Sequence, residues 1–82
     1  MIFLIEYDRS PGKIVAFSNF SGSQRREAEI SRLEIELTLS RQGIDHEVVL
    51  LEAESEAALR LTHRRYFEDL RQILQSGRTQ VQ

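Results

Sequence analysis

Residues 59–67, LRLTHRRYF, contain a histidine, two arginines and a tyrosine in consecutive positions. Histidine changes charge near neutral pH and serves as an acid, a base or a pH switch. If this segment is helical, Leu59, His63 and Tyr66 recur on one face, and His63 lies inside an apolar stripe. The spacing therefore favours a packing role. No nucleophile accompanies His63, because the adjacent Thr62 faces another direction on a helix, so His63 is the single weak candidate for a catalytic residue.

The arginines of this segment are predicted to be neutralised within their own helix. Each has an acidic residue at a distance of four positions, where side chains on a helix meet. The pairs are Arg60 with Glu56, Arg64 with Glu68, and Arg65 with Asp69.

The triplet Asp45, His46 and Glu47 contains three residue types that ligate metals. It stands at the start of a predicted strand, where successive side chains point to opposite sides. His46 is therefore expected to project away from its two neighbours. We predict no metal site there, and no cofactor motif occurs in the chain.

The segment SGSQRR precedes a predicted helix and is the candidate site for a small anion or ligand. Backbone N–H groups and serine hydroxyls at a helix N-terminus favour negative charge. The alternative is simple helix capping by a serine. The Gly-Lys-Ser/Thr ending of a P-loop is absent. The candidate residues are Ser21, Gly22, Ser23, Arg25 and Arg26.

A basic patch for nucleic acid is a further alternative. Arg9 and Lys13 flank a predicted hairpin turn, and Arg25 and Arg26 could join them. The formal net charge of the chain is −2, however, and no standard nucleic-acid motif is present. Nucleic-acid binding is therefore not the favoured prediction.

The composition limits the chain to one small core. It has 82 residues and no cysteine, so disulfides and thiolate chemistry are excluded. The apolar start, MIFLI, is too short for a signal peptide or a membrane span. We expect a cytoplasmic protein that does not bind membranes.

The residue pattern predicts an α+β domain with the order ββαβα. Runs at 2–7, 13–19 and 46–53 favour strands. Helices are expected from a cap at Ser21 or Ser23 to Gly43, and from near Ser55 to Gly77. The first strand is the most apolar, which predicts a mainly antiparallel sheet of order 2-1-3 with both helices on one face in two layers. Residues 1–77 are predicted to form this single domain, and 78–82 a frayed tail.

The chain has more apolar faces than this arrangement covers. Both faces of strands 1 and 3 are apolar, and the first helix carries a second stripe that needs the second helix or another subunit. We therefore predict a homodimer, formed across an open sheet face or along the edge of strand 3, or a complex with a protein partner. The favoured function is a non-enzymatic protein-interaction or self-association domain.

Overall fold

A computed structural model describes residues 1–67 of the protein. Within that range the chain forms a three-stranded antiparallel sheet and two α-helices, which confirms the predicted α+β class and element order. The predicted domain end at residue 77 and the predicted tail at 78–82 lie outside the described residues. The elements are β1 (Ile2–Asp8), β2 (Lys13–Phe20), α1 (Arg25–Gln42), β3 (Glu47–Glu52) and α2 (Glu56–Thr62), with 3₁₀ turns at Gly22–Gln24 and Arg64–Tyr66.

The sheet has the predicted order β2-β1-β3. The central strand pairs Ile5 with Phe17 on one side and with Val49 on the other. Its central position explains why it is the most apolar strand, because both of its faces and both of its edges are covered. The pairing with β2 shifts register between Glu6 and Tyr7, which is typical of a β-bulge.

The two helices lie on opposite faces of the sheet, which corrects the prediction of two helices on one face. Phe3, Ile5 and Tyr7 form one face, named here the Ile5 face, and they pack with Leu59 of α2 and Tyr66.

The other face, named here the Leu4 face, consists of Ile2, Leu4 and Glu6 and lies beneath α1. Ile35 and Leu39 of α1 line one cavity together with Glu6, and Ile2 and Leu4 are buried. The physical reason for the three layers is the sequence of β1 itself, whose side chains are apolar in both directions and require cover on both faces.

The 3₁₀ turn that leads into α1 and the end of α1 both follow from local sequence. Gln24 Oε1 accepts a hydrogen bond of 2.9 Å from the Ser21 N–H, and the Gln24 N–H donates to the Ser21 carbonyl oxygen. At the other end Gly43 has a φ of 67°, the left-handed conformation that glycine adopts without strain. Helix termination at Gly43 is therefore confirmed.

The second helix, α2, is interrupted much earlier than predicted. Ser55 Oγ accepts a hydrogen bond from the Ala58 N–H, as expected for an N-cap. The α-helix ends at Thr62, because His63 has non-helical angles of φ −126° and ψ 51°, and a 3₁₀ turn follows. The continuation predicted to Gly77 lies largely outside the described residues.

Candidate functional site

The outward face of α1 carries an exposed apolar stripe, named here the α1 stripe. It consists of Ile30, Leu33 and Leu37, whose exposed fractions are 48%, 55% and 47%. At roughly 100° per residue these three side chains fall within an arc of about 60°, opposite the buried arc that contains Ala28 and Leu39. The stripe therefore points away from the sheet.

A cavity of about 410 Å³ lies on the Leu4 face beneath one flank of α1. Its apolar wall is formed by Ile35, Leu39 and Ile44. The polar part of its lining consists of Glu6, Glu34, Thr38, Gln42 and His46. Its volume is comparable with that of small-molecule sites, which measure about 300–1,000 Å³.

His46 lies between two carboxylates of β1. Its Nδ1 donates to Glu6 Oε2 at 2.6 Å, and its Nε2 lies 3.5 Å from Asp8 Oδ2. Because both carboxylates occupy alternate positions of one strand, they reach the same side of the sheet. The ring joins the entry of β3 to the central strand and provides a half-buried Glu6 with a hydrogen-bond donor.

Glu47 is the centre of a second polar cluster on the Ile5 face. Its Oε2 accepts hydrogen bonds from the Tyr66 hydroxyl and, at 2.9 Å, from Arg65 Nη2, while its Oε1 accepts from Arg9 Nε at 3.3 Å. The Arg65 guanidinium also lies over the Tyr66 ring, 4.1 Å from its centroid, and Tyr7 donates to the Arg65 carbonyl oxygen. These contacts tie the 3₁₀ turn, β3 and the hairpin loop together.

The titration of this cluster follows from its contacts. The hydrogen bond from Tyr66 lowers the pKa of Glu47, the positive charges of Arg65 and Arg9 add to this, and burial opposes it. Burial raises the pKa of Tyr66, and the hydrogen bond and charge of Glu47 act in the same direction. The ionised carboxylate and the neutral phenol therefore stabilise one another.

The triplet at residues 45–47 behaves as strand alternation predicts. His46 joins the cluster on the Leu4 face, whereas Glu47 joins the cluster on the Ile5 face, and Asp45 Oδ1 lies 3.8 Å from Arg9 Nη1. Among residues 1–67 no three potential ligand side chains are placed to hold a metal ion.

His63 occupies the break between α2 and the 3₁₀ turn and not the middle of a helical stripe. Its N–H donates to the Leu59 carbonyl oxygen at 2.8 Å, and its own carbonyl oxygen accepts from the Tyr66 N–H. The side chain is half-buried. Of the predicted arginine pairs, Arg60 does contact Glu56, whereas Arg65 contacts Glu47, and Glu68 and Asp69 lie outside the described residues.

The candidate anion site is largely occupied by internal contacts. Ser21 Oγ and Ser23 Oγ lie 2.9 Å apart, and Arg25 Nη1 forms an ion pair of 2.9 Å with Glu52. Gly22 opens the 3₁₀ turn, and Arg26 is exposed.

The basic residues considered for nucleic acid do not form one patch. Arg9 and Lys13 lie at the hairpin end of β1, where Arg9 contacts Glu47 and Asp45. Arg25 contacts Glu52, which pairs with Ile2 at the opposite end of that strand, about 20 Å away at the rise of an extended chain. Tyr7, the aromatic residue nearest to Arg9 in sequence, is buried, so no exposed aromatic ring accompanies Arg9 there for stacking on a base.

The sequence analysis did not predict the contacts that form the two polar clusters. One signal was available: Glu6 interrupts the otherwise apolar run of the central strand and so requires a polar partner. The contact between Glu47 and Tyr66 depends on the break at His63, for which the helical periodicity of 59–67 gives no sign.

No known family model, curated protein or solved structure matches this chain. Within residues 1–67 no helix combines the length and the apolar character that are needed to cross a membrane.

Proposed function

We propose that this chain is a non-enzymatic self-association domain that forms a homodimer through the α1 stripe. The observation that carries the proposal is the half-exposed set of Ile30, Leu33 and Leu37 on the side of α1 that faces away from the sheet. Three large aliphatic side chains aligned on one helix face gain free energy when a second apolar surface removes them from water.

The placement of α2 supports this choice of surface. Of the two apolar sides of α1, the one that does not face the sheet is predicted to be covered by α2 or by another subunit. Because Leu59 of α2 packs on the Ile5 face, α2 leaves the stripe exposed. The same arrangement favours the α1 stripe over a dimer across a sheet face, since Ile2, Leu4 and Ile5 are all buried.

One pair of opposite charges on α1 is placed to meet a second copy in antiparallel orientation. On the helical projection Glu27 and Arg41 lie on the same flank of the α1 stripe, 14 positions apart, with their midpoint at residue 34. The midpoint of the stripe lies between residues 33 and 34. A two-fold axis through that point brings Glu27 of each copy to the level of Arg41 of the partner subunit.

The charges across such an interface nearly cancel. The two-fold axis gives two attractive pairs of Glu27 with Arg41. These are offset by the repulsion between the two copies of Glu34 and by Arg26, which lies within the arc of the stripe and comes to nearly the level of Arg41 of the partner subunit. The stripe is also shorter than a standard interface. We therefore expect a dissociation constant on the order of micromolar.

The two polar clusters support a non-enzymatic role. Glu47, Tyr66 and Arg65 satisfy one another, and His46 is engaged by Glu6 and Asp8. Each set fastens one element of the fold to another, and we assign no reaction to either. Cytoplasmic localisation stays a prediction, in keeping with a chain that has no cysteine.

Sedimentation velocity from about 1 µM to about 500 µM tests the proposal. The wild-type chain is expected to change from monomer to dimer over this range. Leu33→Glu places a charge at the centre of the stripe and should weaken the dimer at least tenfold.

Leu61→Glu is the matched control. Leu61 is 77% exposed and belongs to α2, on the other side of the sheet, so this variant should associate like the wild type. A wild-type monomer at every concentration, or equal dimerisation of Leu33→Glu, would contradict the proposal.

A further inference from the structure

The cavity beneath α1 adjoins one flank of the proposed dimer surface. Ile35 and Leu39 line it from the sheet side of the helix, whereas Glu34 is exposed at its rim, beside the α1 stripe. A ligand in the cavity and a partner on the stripe therefore approach Glu34 from neighbouring sides, and ligand binding is tested on the monomer.

The lining combines an apolar wall with negative charge. Ile35, Leu39 and Ile44 supply aliphatic surface, and the carboxylates of Glu6 and Glu34 share the cavity with no lysine or arginine in its lining. Glu34 forms no side-chain hydrogen bond or ion pair with another residue of 1–67. A cation is therefore the complementary charge at this wall.

Glu6 is oriented by the fold and not by a ligand. Its Oε2 accepts the hydrogen bond from His46 Nδ1, and its side chain is 17% exposed. This contact engages one of the two carboxylate oxygens, and Oε1 retains capacity to accept from an ammonium group. A half-buried acceptor held in place at an apolar wall loses little entropy when a ligand binds.

From this geometry we propose that the cavity binds an aliphatic primary ammonium ligand. The alkyl chain packs on Ile35, Leu39 and Ile44, and the ammonium group donates to the carboxylates of Glu6 and Glu34. An ammonium group offers three donors and no acceptor, which suits a lining with two carboxylates. The cavity volume of about 410 Å³ exceeds what a four-carbon amine requires.

Titration of the ¹⁵N-labelled Leu33→Glu variant with n-butylammonium chloride tests the proposal by NMR, at a concentration at which sedimentation shows this variant to be monomeric. Saturable shifts are expected at amides of 34–46 and at Glu6. n-Butanol matches the alkyl chain without the charge, and ammonium chloride matches the charge without the alkyl chain. Both should bind at least tenfold more weakly.

Two variants test whether the carboxylate of Glu34 contributes to the binding of n-butylammonium. Glu34→Gln removes one carboxylate of the cavity and should weaken n-butylammonium binding about two- to fivefold, as expected for a partly exposed ion pair. Glu29→Gln removes a carboxylate of α1 outside the cavity and should leave the affinity unchanged. Unsaturable shifts, equal binding of n-butanol, or equal affinity of the Glu34→Gln variant would overturn the proposal.

Discussion

The hydroxyl group of Tyr66 donates a hydrogen bond to the carboxylate of Glu47, 19 positions earlier in the chain. This contact fastens the 3₁₀ turn that follows α2 to β3. Arg65 and Arg9 contact the same carboxylate, so Glu47 of β3 connects this strand to the hairpin loop and to the 3₁₀ turn.

Glu47→Gln should destabilise the fold by about 1–3 kcal/mol, because a charge-assisted hydrogen bond is lost and two arginines lose their partner. The free energy of unfolding by urea measures the change. Asp45→Asn is the matched control, since that neighbouring side chain is 93% exposed, and it should change stability by less than about 0.5 kcal/mol. Equal effects of the two variants would refute the structural role of Glu47.

The contribution of Glu47 should depend on pH in the acid range. Its pKa in the folded chain is lowered from 4.5, so the folded state favours the ionised form. The stabilisation is complete above the unfolded pKa and is lost as pH falls through the lower folded pKa. The difference in unfolding free energy between wild type and Glu47→Gln should therefore stay constant near neutrality and shrink below about pH 4.5. If this free-energy difference grew as the pH fell, it would contradict stabilisation by the ionised carboxylate of Glu47.

Replacement of Leu59 tests the packing on the Ile5 face. Leu59 is fully buried against Phe3, Ile5 and Tyr66, and Leu59→Ala should cost about 2–4 kcal/mol. Leu61→Ala, two positions later and mostly exposed, should cost less than about 0.5 kcal/mol. Thermal or urea unfolding distinguishes the two, and a reversed order would place the other side of α2 on the sheet.

Gly43→Ala should destabilise the end of α1 by about 1–2 kcal/mol. The positive φ of Gly43 strains any L side chain, although a Cβ atom there meets nothing within 4 Å. Gly22→Ala is the control, because a Cβ atom at that position is also uncrowded and φ is not positive. Its effect on the midpoint of urea unfolding should be close to zero. If both variants unfold alike, the conformation at Gly43 does not limit stability.

Local signals in the sequence were sufficient for much of the fold. Gly43 ends α1 and Ser55 begins α2 because each satisfies the backbone groups of a helix terminus with its own chemistry. The uniform apolarity of β1 placed it in the centre of the sheet. Strand alternation also predicted correctly that His46 and Glu47 diverge.

Features that depend on tertiary contacts were not predicted. Periodicity alone assigned His63 to the interior of a helix, whereas the helix breaks there and the buried Tyr66 hydroxyl meets Glu47. The prediction that both helices lie on one face of the sheet was wrong. An apolar central strand indicates that both of its faces are covered, but it does not indicate which helix covers each face. The hydrogen-bonded residues Glu6 and His46 lie 40 positions apart in sequence, beyond any local signal.

Distances between spin labels test most directly whether α1 mediates self-association. The chain has no cysteine, so single cysteines at Ser23, in the turn before α1, and at Gln42, its last residue, place labels about 28 Å apart along the helix. In an antiparallel dimer, mixing the two labelled proteins should give short distances between unlike labels, and each protein alone should give long ones. Short distances between like labels, or a dimer with no coupling between labels on α1, would contradict the account.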